Sequence, residues 1–113
     1  MKFIFQNLVQ SLYSIVIALF CSFSSLGKDS STFKNKVLPL LQEYCYDCHG
    51  EGAQKGNFAM DELIALGNFS KHSKKWDRVW KNIYNRNMPP ANVPQPFDPE
   101  ISTILSWIEE ASF

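Results

Sequence analysis

The chemistry this chain can do is concentrated in Cys45-Tyr46-Asp47-Cys48-His49. Two thiols three positions apart lie on nearly one face of a helix, and an imidazole follows the second directly. Thiols so spaced can add to the two vinyl groups along one edge of a haem, leaving the imidazole beneath the iron as its proximal ligand. Other chemistries compete for the same residues. A redox-active dithiol wants a strand–helix–strand context that this sequence lacks. A tetrahedral zinc site needs a fourth ligand, and outside the motif the chain has only one further histidine, His72. A local disulfide between Cys45 and Cys48 is the plainest alternative. The cysteine count favours haem. Of three cysteines, Cys21 falls in a segment expected to be removed, so Cys45 and Cys48 remain with nothing else to pair.

A second axial ligand must come from elsewhere, and the candidates are Met60, Met88, His72 or none. Met60 sits beside acidic residues on an expected helix, where a methionine is commonly a core filler. His72 belongs to the surface stretch KHSKK and reads as solvated. Met88 opens a proline-rich, non-helical loop that can present a side chain stiffly. Packing in a haem pocket without an iron bond is its plainer role, and ligation is the reading preferred here.

The elements that must position these residues begin after a leader. Lys2, the apolar run Leu8–Phe23 and the small residues Ser22, Ser24, Ser25 and Gly27 read as a secretory signal peptide over 1–27. The run is short for a membrane span, which takes roughly 20 residues; an uncleaved anchor, and hence a membrane tether, is the competing reading. A lipoprotein reading of Cys21 is disfavoured by bulky Phe20. The domain is therefore expected over 28–113, exported to the periplasm or an equivalent compartment. At about 86 residues it is small enough to benefit from a cofactor in its interior. The chain has eleven basic and eleven acidic residues, so no basic field exists to hold nucleic acid, and association is expected to depend weakly on salt.

Phe33, Val37, Leu40, Leu41 and Tyr44 recur close to helical spacing, with Pro39 forcing a kink or a fresh start in that helix. Gly50, Gly52 and Gly56 mark an open loop. Met60–Leu66 predicts a short helix stopped by Gly67. Trp76, Val79, Trp80 and Ile83 predict an amphipathic helix capped by Ser73 and ending near Asn85. Five prolines within Met88–Pro99 forbid a helix there. Asp98 then caps a last helix with the stripe Ile101, Ile104, Leu105 and Ile108. The fold class is all-α, with the first and last helices expected to cross. Trp76, Trp80 and Trp107 are candidates for a haem crevice wall, although their spacing suits ordinary core aromatics equally well. Tyr46 and Asp47 are expected to face outward.

From Val37 to Trp107 the chain resembles a planctomycete-type cytochrome c domain, a relative of the class I cytochromes c. The residues that carry the likeness are VLPLLQEYC, CYDCHGEG, QKGNFAMDEL, KKWDRVWKNI, NMPP and ILSWIEE. Where such domains often carry two glycines before the apolar residue, this chain has Gly56-Asn57. The resemblance implies a small cytochrome c-like helical domain wrapped around one covalent haem c, with His49 proximal and Met88 distal. It also implies a one-electron carrier rather than an enzyme, meeting redox partner proteins. A sensing or catalytic haem, with Met88 as a labile ligand, is the alternative. Such domains commonly belong to larger exported proteins, and this chain is expected to be a free-standing version.

Overall fold

Among the described residues, apolar side chains at helical spacing build four α-helices of six residues or more closed over a single core, preceded by a short helical stretch, Ser30–Thr32. A computed structural model describes residues 30–113; the expected leader and Cys21 lie outside the described residues. The helices are α1 (Leu38–His49), α2 (Met60–Ala65), α3 (Ser73–Tyr84) and α4 (Asp98–Ser112). Among the described residues there is no strand, and no helix is long and apolar enough to cross a membrane. The core joins Val37 and Leu41 to Met60 and Leu63, to Trp76, Val79 and Ile83, and to Ile101, Ile104 and Ile108. The most extensive pairing is α3 against α4.

Pro39 acts on the first helix as the sequence requires. It lies in the first turn of α1, where a missing N–H is harmless. Its ring must still avoid the carbonyl four residues back, that of Asn35. The chain widens there into a π-helical turn, Phe33–Val37, with the Leu38 N–H bonded to the Phe33 carbonyl. The expected crossing of first and last helices is made by this turn, which packs on α4. Further along, the Tyr44 hydroxyl donates to Glu100 Oε2 at 3.0 Å.

Two termini differ from expectation. Ser73 does not cap α3: a 3₁₀ turn, Phe69–His72, precedes it, and Asn68 caps that turn by accepting from the Lys71 N–H. Asn68 has φ 43°, a conformation asparagine tolerates, and its side chain outcompetes serine because it stands one turn earlier. Asp98 does not cap α4; it turns outward to Arg86 at 2.6 Å. Glu100 instead reaches back to the Phe97 N–H at 2.8 Å, half of a capping box. The stop at Gly67 is as expected, with φ 57°.

Candidate functional site

Cys45, Cys48 and His49 share the face of α1 that also carries Leu41, since at 100° per residue the four fall within about one-third of the helix circumference. That face is the one turned to the core. Cys45 packs against the core cluster, and Cys48 and His49 are half-buried. Both cysteines are free thiols, with no disulfide between them. Burial pushes the Cys45 thiol up to about 11. Among the described residues no three His, Cys, Asp or Glu side chains converge as a metal cluster would require.

The orientation of His49 is fixed by the glycine loop. His49 Nδ1 lies 3.0 Å from the carbonyl oxygen of Phe58. A carbonyl can only accept, so Nδ1 carries the proton and the Nε2 lone pair is left free. The Phe58 ring adds an edge contact to the imidazole at 5.3 Å. The loop that returns Phe58 to this position runs through left-handed backbone at Gly56 and Asn57, with φ 65° and 57°. Asparagine thus adopts the conformation a second glycine would have, and the Gly56-Asn57 departure leaves the turn intact. A further tie, Glu51 N–H to Asp61 Oδ2 at 2.9 Å, fixes the loop to α2.

Tyr46 corrects the expectation that both spacer residues face outward. Asp47 is exposed, whereas Tyr46 is half-buried, packs on the core and lies over Gly50. A Cβ at Gly50 would meet the Tyr46 ring at 2.6 Å, so the residue after His49 must be small for this ring to pack. Neither this contact nor the Phe58 carbonyl carries a signal in the sequence. A backbone acceptor has no residue type, and the role of Gly50 is visible only once Tyr46 is placed.

Met88 comes from a different element, the loop between α3 and α4, where its side chain is 41% exposed. Its N–H, like that of Asn87, bonds to the Asn82 carbonyl, and the Met88–Pro89 peptide is cis. The loop is braced from within: the Gln95 amide donates to the carbonyls of Pro90 at 2.7 Å and Val93 at 3.0 Å. Arg86–Asp98 ties its ends. Met60 is a buried core residue, and His72 is half-buried in the turn before α3. Trp76 is wholly buried, edge-on to Phe69 at 5.4 Å and Trp107 at 5.7 Å. Its indole N–H is one of two buried side-chain polar atoms without a protein partner among the described residues, the other being the Ser112 hydroxyl. Trp80 is half-buried; it stacks on Tyr84 at 4.6 Å and donates to Glu109 Oε1 at 3.0 Å.

Residues 45–92 match the model of the family described as Planctomycete cytochrome C. No curated protein and no solved structure matches the chain. The residues present fit the haem c that such a domain binds. Two free thiols stand on one helix face, and the adjacent imidazole already spends its other nitrogen on a carbonyl, as iron-ligating histidines require.

Proposed function

From the membership of residues 45–92 in the planctomycete cytochrome C family, we propose that this chain carries one covalent haem c and passes single electrons outside the cytoplasm. Cys45 and Cys48 would hold the group by thioether bonds, with His49 Nε2 as the proximal ligand and Met88 sulfur as the distal one. The haem would then supply an iron that changes oxidation state without binding a substrate, at a potential raised by the thioether. The observation that carries this reading is the His49 Nδ1–Phe58 carbonyl contact at 3.0 Å, which fixes the tautomer and aims the remaining lone pair.

The chain's own contributions follow from the elements around the site. α1 presents the thiols on its core face, so the attached group would lie against the apolar interior and not over the exposed Glu43–Asp47 side. The Gln95 brace and the Arg86–Asp98 pair stiffen the loop that bears Met88. Partners would meet the domain through small, transient contacts. Export is the compartment such domains typically occupy, in keeping with the leader read at 1–27, which is cleaved or kept as a tether.

The second reading is a sensing or catalytic haem, in which Met88 would leave the iron readily. The reduced holoprotein under carbon monoxide separates the two. An unchanged spectrum supports the closed electron carrier, and a carbon monoxide adduct supports the labile site.

A further inference from the structure

The balanced net charge conceals a separation along the fold. From residue 63 to 97 there are six basic residues (Lys71, Lys74, Lys75, Arg78, Lys81 and Arg86) and a single acidic one, Asp77. From 37 to 62 there are five acidic residues and only Lys55 of opposite sign. Helix geometry sharpens the basic half. Lys74, Lys75 and Arg78 stand on one side of α3, Lys71 stands on the 3₁₀ turn just before it, and all four are exposed. Trp76, Val79 and Ile83 occupy the other side of the same helix and are buried. The ion pairs among the described residues are Lys81–Asp77 and Arg86–Asp98, so these four cations are left without a carboxylate.

We propose that the solvent face of α3, bearing Lys74, Lys75 and Arg78, together with Lys71 on the turn before it, docks an acidic protein surface. The inference rests on reading the chain as an electron carrier, which has to meet a partner protein. A cluster of like charges speeds encounter with a complementary surface and orients it, without needing a large interface. An anionic membrane is the less suitable occupant. Trp76, Val79 and Ile83 are committed to the core, and the exposed Tyr84 stacks on Trp80 away from the basic residues, leaving no apolar side chain among them to insert into a bilayer. Charge complementarity therefore selects a carboxylate-rich protein face, and the screening of exposed charges by dissolved ions makes the attraction salt-sensitive. The weak salt dependence expected from net charge is replaced by a strong one.

The test uses the haem-loaded full chain and a synthetic glutamate-rich peptide as the probe, titrated at low and at physiological salt. Lys74→Glu/Arg78→Glu is compared with Lys34→Glu/Lys36→Glu, an exposed pair on the π-helical turn with the same change of charge. Docking predicts binding that weakens with salt, roughly tenfold or greater loss in the α3 variant, and a loss several times smaller in the control. Equal losses in both variants would overturn it, because net charge alone would then account for binding. Binding to phosphatidylglycerol vesicles without binding to the peptide would also overturn it, as would binding to neither. The visible spectrum of the same samples keeps the two readings apart. Haem without peptide binding sinks the docking face alone, and a haem-free chain sinks the electron carrier while the peptide titration still reports on the face.

Discussion

His49 has two ring nitrogens, and the Phe58 carbonyl decides which of them is available. Cys45 is held in a comparable way by its surroundings: it packs on the core, and burial pushes its thiol up to about 11. Met88 is the residue on which the closed-iron account turns. Met88→Ala should lower the midpoint potential and allow carbon monoxide to bind the reduced protein; redox titration and difference spectra measure both. An unaltered potential and an intact sulfur-to-iron absorption band would remove Met88 from the ligand set. Trp76 separates packing from polarity. Trp76→Ala should cost about 3–5 kcal/mol in chemical denaturation, because a fully buried indole leaves a large cavity. Trp76→Phe should cost markedly less, since the N–H it deletes has no protein acceptor. A phenylalanine variant as unstable as the alanine one would show that the N–H has found an acceptor in the folded protein.

At the scale of elements, the turns carry as much of the design as the helices. Gly67 ends α2 at φ 57°, and nothing lies within 4 Å of where a Cβ would sit. Gly67→Ala should therefore destabilise by about 1–2 kcal/mol through backbone strain alone, seen as a lower Tm with no change in the visible spectrum. Tyr44 links α1 to α4, and partial desolvation, then Glu100, raises its hydroxyl above the ordinary 10.0. A hydroxyl whose pKa is raised on folding contributes stability below its unfolded pKa and loses it as pH climbs through the folded one. Tyr44→Phe should accordingly blunt the fall in stability above pH 10, read from denaturation midpoints across that range. Much of this organisation was legible in the sequence. Apolar spacing gave Trp76, Val79 and Ile83 to one buried face, Gly67 marked a stop, and the prolines excluded a helix before Asp98. What was not legible depended on competition between neighbours. Asn68 displaced Ser73 as the cap before α3, Glu100 displaced Asp98 before α4, and Pro39 imposed a π-helical turn on residues preceding it. Each outcome is set by where a side chain can reach once the backbone is placed.

For the whole molecule, composition was a poor guide to electrostatics. Equal totals of acid and base suggested a neutral surface, yet the fold gathers unpaired cations on the outer face of α3 and carboxylates around α1 and α2. The motif was legible for a different reason: Cys45, Cys48 and His49 are close in sequence, so a single helix brings them together without help from tertiary structure. The Phe58 carbonyl comes to His49 only through the folded loop. The account as a whole requires that a haem be bonded to this helix. Its most direct test is to produce the full chain alongside a haem-attachment system, denature the purified protein and extract it with acidified organic solvent. The account predicts that the colour stays with the polypeptide and that its mass exceeds the apoprotein by one haem. A colourless polypeptide, or a haem that passes entirely into the solvent, would contradict it.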